Sequence, residues 1–124
     1  MNQALVLIKP DAFDRKLVST LLTTLLEEFE LIRIQDQIMT ENIFNQHYAE
    51  HSEKSFFAGL KEAMVGKTVI AIILEGTHAG QIRAACEDIR AVYVDTDYIG
   101  PRNLVHCSDS EEAALREIKI WFAE

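Results

Sequence analysis

Basic residues are scarce in this chain. Lysine and arginine number 12 against 20 aspartates and glutamates, a formal net charge of −8. Such a field repels nucleic acid and anionic membrane surfaces at long range, so neither is expected as a partner. Cysteine is nearly absent as well. Cys86 and Cys107 form no CxxC pair and no zinc-ligand spacing with histidine, and two reduced, unpaired thiols are expected. With only five glycines, the chain holds neither Gly-x-x-x-x-Gly-Lys-Ser/Thr nor Gly-x-Gly-x-x-Gly, which excludes the two common phosphate-cradling loops. No apolar run approaches the roughly 20 residues that span a bilayer. The start, Met1-Asn2-Gln3-Ala4, lacks the basic region of a secretory signal, and a cytoplasmic protein is expected. No linker, repeat or low-complexity tract divides the 124 residues, so residues 1–124 should form a single domain with one buried core.

The apolar pattern gives the elements. Ala4 to Ile8 is a short apolar run stopped by Lys9-Pro10-Asp11, a buried strand ended by a turn. Leu17, Leu21, Leu22, Leu25, Leu26 and Phe29 recur at helical spacing and turn one stripe to a core. Leu31, Ile32, Ile34, Ile38 and Met39 suggest a second strand, and Thr40-Glu41 a helix start running through His47 and Tyr48. Phe56 to Met64 fits a shorter helix. Val69 to Leu74 is apolar on both faces, as in a central strand, and Ala79 to Glu87 is helical in pattern. Asn103 to Cys107 reads as a short strand. Ser108-Asp109-Ser110-Glu111-Glu112 is a strong helix start for a segment reaching about Ile120. This order predicts an α+β ferredoxin-like βαββαβ sandwich, a four-stranded antiparallel sheet with helices on one face.

Several residues suit chemistry. His106 ends an apolar strand before a well-capped helix, and a neutral imidazole is a good nucleophile near pH 7. A surface or capping histidine is the commoner outcome for such a position. Lys9 interrupts a strand-to-turn junction, from which its ammonium can reach the same sheet edge, although a solvated strand end is the commoner outcome for such a position. Tyr48, Phe56 and Phe57 are core aromatics by default, although one exposed ring can stack on a flat ligand. Arg83, Arg90 and Arg102 lie between the central strand and His106; arginine forks suit phosphate oxygens, and ordinary surface charge is the alternative. Glu117, two to three turns into the last helix, can reach back to fix a histidine tautomer, or can be a solvated helix glutamate.

Together these segments resemble the nucleoside diphosphate kinase family. Leu7-Ile8-Lys9-Pro10-Asp11-Ala12 resembles its N-terminal strand motif. His47-Tyr48 followed by Phe56-Phe57-Ala58-Gly59-Leu60 resembles its nucleotide-binding helical hairpin, and Leu74-Glu75-Gly76 the end of its third strand. Arg102-Asn103-Leu104-Val105-His106-Cys107-Ser108-Asp109-Ser110 resembles its active-site segment, and Glu117-Ile118 and Trp121-Phe122 fit its close. The resemblance implies a ping-pong phosphotransferase that moves the terminal phosphoryl group of a nucleoside triphosphate to a diphosphate through a phosphohistidine at His106. It implies that Lys9 and Tyr48 contact the transferred phosphate, that Phe56 stacks on the base with Leu60 lining the same pocket, and that Asn103 and Lys9 lie near the sugar hydroxyl. Ser108 and Glu117 would orient the histidine. Arg83 and Arg90 would grip phosphate. Mg²⁺ would be held mainly by the nucleotide phosphates, with no dedicated protein metal site.

The chain also departs from the family pattern. Only six residues separate Arg83 from Arg90, so most of the family's long loop before Arg90 is missing, with its phosphate-binding threonine. Arg83 aligns only with a one-residue slip. Val92 replaces an aspartate, Val94 to Gly100 is longer than usual, and Cys107 replaces a glycine, where a side chain could crowd the nucleophile. A homo-oligomer is implied, and because the missing loop lies where family members pack as trimers within hexamers, a dimer or tetramer is as open as a hexamer. The competing readings are a catalytically weak or inactive nucleotide-binding relative of the same fold, and a ferredoxin-like sensor or interaction module.

Overall fold

The computed structural model of the chain describes residues 2–78, 80–95 and 103–122. Its sheet has four strands in the order β2-β3-β1-β4, every neighbouring pair antiparallel. β1 (Asn2–Ile8) and β3 (Thr68–Gly76) are central, β2 (Glu30–Ile38) and the short β4 (Val105–Cys107) are the edges. The predicted ferredoxin-like antiparallel sheet is therefore present, and both apolar runs form its middle.

Helices cover both faces of this sheet, not one. Alternation along β1 sends Ala4, Val6 and Ile8 to a core shared with Leu21, Leu25, Ile82 and Ile89. It sends Leu5 and Leu7 to a second core with Phe44, Tyr48, Met64 and Trp121. The first cluster packs beneath α2 (Val18–Glu28) and α5 (Gln81–Val92), the second beneath α3 (Glu41–His47), α4 (Phe57–Met64) and α6 (Glu111–Trp121). Apolar residues on both sides of β1 and β3 require this, since either face left open would put a full row of Val, Ile and Leu into water.

Local chemistry sets the helix starts. Thr40 Oγ1 accepts from the Ile43 amide at 3.1 Å, and Ser110 Oγ from the Ala113 amide at 3.0 Å. Ser110 is thus the residue that caps α6, two residues past the first hydroxyl of that segment. Pro10 opens an additional one-turn helix, α1 (Pro10–Asp14), where the sequence predicts only a turn; its fixed φ suits a first helical position. With no loop to interrupt it, α5 runs past Glu87 to Val92 and carries both Arg83 and Arg90. The expected start of this helix at Ala79, most of the Val94 to Gly100 segment and Arg102 lie outside the described residues. No helix among the described residues is long and apolar enough to cross a membrane.

Candidate active site

β1 and β4 bring the first two candidates together. Leu7 pairs with His106, so both project to the face covered by α3 and α6, and Lys9 follows two residues beyond Leu7. The start of β4 is held from β1 and α1. Lys9 N–H donates to the Leu104 carbonyl at 2.8 Å, and the Leu104 amide donates to Asp11 Oδ2 at 2.9 Å. Leu104 has φ +75°, a left-handed conformation unfavourable for a branched side chain, and these two bonds fix it there. The strand that carries His106 is therefore set by Asp11. That residue stands in the resembling motif, but no spacing argument gives it a task. Burial pushes its carboxyl up, while its bond to Leu104 and the neighbouring Lys9 ammonium oppose the rise.

His106 Nε2 lies 2.8 Å from Glu117 Oε1, with side chains 20% and 5% exposed. An ionised carboxylate only accepts, so Nε2 carries the ring proton and Nδ1 keeps its lone pair. Burial, then the Lys9 and Arg90 charges, hold the imidazole pKa down at about 3, so the ring is neutral at pH 7. Burial raises the Glu117 pKa; the Arg116 guanidinium, whose Nη2 is 3.6 Å from Oε2, works against that.

Lys9 is 6% exposed, and its ammonium donates to Asn103 Oδ1 at 2.8 Å. Burial and Arg90 lower its pKa to about 8, with Asp11 acting the other way. Arg90 donates from Nε and Nη2 to the Val105 carbonyl at 3.1 and 2.7 Å, beside the nucleophile strand. Lys9, Asn103, Arg90, His106 and Glu117 thus share one neighbourhood. Arg116 joins them and lines the same cleft of about 460 Å³ with His47, Tyr48, His106 and Glu117. Nothing in the sequence singles Arg116 out except its place one residue before Glu117.

Other candidates have different surroundings. Tyr48 is buried, and its hydroxyl donates to Met64 Sδ at 3.4 Å; burial pushes its pKa far up. Ser108 Oγ accepts from the Leu5 amide at 3.1 Å, tying β4 to β1 and not to Glu117. Arg83 pairs with Glu87 at 3.3 Å, donates to the Asp109 carbonyl at 3.2 Å and lines a separate cavity of about 260 Å³. Phe56 is 49% exposed at the start of α4, while Leu60 is buried in the second core. Cys107 does not crowd His106. Strand alternation sends it into the opposite core, and both cysteines are free thiols.

One trio among the described residues has metal-ligand spacing: single ligand atoms of His47, His106 and Glu117 all lie within 4.8 Å of one another. Its hydrogen bonds speak against a metal. Trp121 Nε1, which can only donate, bonds His47 Nδ1 at 2.9 Å, so the proton of His47 sits on Nε2 and no lone pair faces outward. His106 Nε2 is likewise committed to Glu117.

Fold and site define an α+β domain with a carboxylate-backed, neutral histidine set among cations. The chain belongs to the nucleoside diphosphate kinase family, whose profile matches residues 2–124. The nucleoside diphosphate kinase of Acanthamoeba polyphaga mimivirus is 38% identical, over all of this chain and 95% of that protein. That of Mycobacterium tuberculosis is 35% identical over 98% and 96%. In three dimensions the chain is similar to the nucleoside diphosphate kinase of Encephalitozoon cuniculi, with TM-score 0.85 and 28% identity, covering 100% of this chain and 90% of that one. It is also similar to the Halobacterium salinarum enzyme solved in complex with CDP, with TM-score 0.75 and 28% identity, over 98% and 88%.

Proposed function

We propose that the protein is a nucleoside diphosphate kinase that works by ping-pong transfer through His106. The observation that carries the residue assignment is the Glu117–His106 hydrogen bond, which leaves Nδ1 unprotonated on a ring that feels the Lys9 and Arg90 charges. Nδ1 attacks the terminal phosphorus of a nucleoside triphosphate; the N–P bond forms as the P–O bond to the departing diphosphate breaks. A second diphosphate then reverses the step and takes the phosphoryl group away. Glu117 holds the Nε2 proton and offsets the positive charge the ring acquires.

Phosphoryl transfer needs alignment and positive charge more than covalent help. Lys9 and Arg90 supply that charge beside the nucleophile, and Arg116 adds to it from α6. Asn103, bonded to Lys9, can meet a sugar hydroxyl together with it. The exposed ring of Phe56 offers a stacking face tolerant of base identity, with Leu60 behind it. Tyr48 lines the cleft beside His106, its hydroxyl bonded to Met64, and Ser108 ties the end of β4 to Leu5. Mg²⁺ would come with the nucleotide: Glu117, the buried carboxylate of the cleft, is engaged by His106, Glu50, Asp109 and Glu112 also line the cleft, and imidazole and ammonium are poor partners for that ion. The charge such an ion would supply neutralises the nucleotide phosphates.

The reading extends to assembly and setting. β2 is an edge strand on which Leu31, Ile32, Ile34 and Ile38 are each 40–53% exposed, and Leu26 of α2 is exposed too. An apolar edge of this kind fits a second copy of the chain, giving a homo-oligomer built on a dimer. Two free thiols fit the reducing cytoplasm, which also holds the nucleotide pool. One observation favours the alternative of a weakened relative: Arg83 is engaged by Glu87 and Asp109. The test is phosphate exchange between labelled ATP and a second nucleoside diphosphate, comparing wild type with His106→Ala. Exchange by wild type and none by the variant is expected; exchange surviving in the variant would place the chemistry elsewhere, and binding without exchange in wild type would mark an inactive relative.

A further inference from the structure

His47 is a buried titratable group for which the mechanism above has no use. It closes α3 and is 4% exposed. The Trp121 indole donates to its Nδ1 at 2.9 Å, which fixes the neutral tautomer with the proton on Nε2. That Nε2 has no hydrogen-bond partner and is shut away from solvent. A leucine at this place would avoid the cost of an unpaired buried polar atom, so a histidine here asks for a reason. Its surroundings offer one. The His47 ring meets the His106 ring at 4.6 Å between centroids and 74° between planes, an edge-to-face contact in which the polar rim of one ring can meet the π-face of the other. The Tyr48 ring also meets the His47 ring, at 4.5 Å and 69°, and lies 6.4 Å from the His106 ring.

We propose that His47 is a positioning residue for phosphotransfer: held by Trp121, it braces the plane of the His106 ring so that Nε2 stays on Glu117 while Nδ1 stays open to the phosphoryl group. This rests on His106 being the phosphorylated residue and deepens that reading. One hydrogen bond and one ring contact constrain the nucleophile differently. Glu117 fixes one atom of the ring, about which the ring can still swing; a second ring in edge-to-face contact with it removes that freedom. A neutral brace serves better than a charged one. Burial and the neighbouring His106 hold the His47 pKa down at about 3, so it adds no positive charge that would compete for Glu117.

Two substitutions separate bracing from simple support. His47→Asn keeps an acceptor near Nδ1 for the Trp121 indole but removes the ring edge. His47→Phe keeps a ring edge but leaves the indole without its acceptor. Single-turnover phosphorylation of His106 by ATP, the ATP KM and the melting temperature are measured for each. The brace predicts that His47→Asn slows phosphorylation about tenfold or more with KM within about twofold, since loss of alignment costs rate and not binding. It predicts that His47→Phe, although less stable, loses less rate than His47→Asn. Phosphorylation of His47→Asn at the wild-type rate, or a His47→Phe rate below that of His47→Asn, overturns the proposal while leaving the kinase reading intact. A wild-type protein that forms no phosphohistidine at His106 ends both.

Discussion

Glu117 places a carboxylate oxygen 2.8 Å from Nε2 of His106 while its own side chain is only 5% exposed. So buried an acceptor sets the ring's tautomer and opposes the charge the ring gains on phosphorylation. Glu117→Gln keeps the shape but removes the charge. Phosphoenzyme formation is expected to fall on the order of 10²-fold with nucleotide KM little changed. Rapid-quench measurement of the first turnover checks this; an unchanged rate would make Glu117 a packing residue.

Lys9 gives a pH signature. Its pKa is lowered to about 8, so the ammonium is present below that pH and lost above it. The free protein therefore loses kcat/KM for ATP as pH rises through this value, and Lys9→Arg moves the fall to higher pH because a guanidinium stays charged. The linked effect on stability has the opposite sign. Between this pKa and the unfolded value near 10.5 the unfolded chain binds a proton that the folded chain does not, so stability rises with pH across that window. A pH profile of kcat/KM for both proteins, with urea melts at pH 8 and pH 10, tests both statements.

Asp11 sets the backbone at Leu104. Asp11→Ala leaves the buried Leu104 amide without its acceptor while that residue remains at φ +75°. A loss of roughly 1–3 kcal/mol in urea denaturation is expected. Activity should drop along with it, because His106 lies two residues further on. Full activity with unaltered stability would show that β4 finds its course without Asp11.

The sheet edge carries the assembly. Ile34→Lys places a charge in the middle of exposed β2, where it meets solvent in a monomer and an apolar partner in a dimer. Light scattering should show the wild type as an oligomer and the variant as a smaller species with its fold intact by circular dichroism. A wild-type monomer would contradict the role given to β2.

Much of this was legible in the sequence because it depends on runs and caps. Ala4 to Ile8 and Val69 to Leu74 announced the two central strands, and their apolar residues on both sides already called for two covered faces, a consequence a one-faced sandwich does not accommodate. Lys9, His106 and Glu117 were visible as types in suitable places, and a register of antiparallel strands brought them together. What was not legible depends on direction. Arg83 and Arg90 sit seven residues apart on one face of α5, yet one reaches Val105 beside His106 and the other Asp109, because the helix runs along β4. The Trp121–His47 bond joins residues 74 positions apart, and the left-handed Leu104 carries no side-chain mark. Cys107 looked like an obstruction from its position alone; alternation along the strand turns it away.

The most direct measurement is the chemical position of the phosphate after brief incubation with ATP. With Nε2 committed to Glu117, nuclear magnetic resonance of the phosphorylated protein should show one acid-labile phosphate bonded to Nδ1 of His106, absent in His106→Ala. Phosphate on Nε2, on any other residue, or on none would contradict the account.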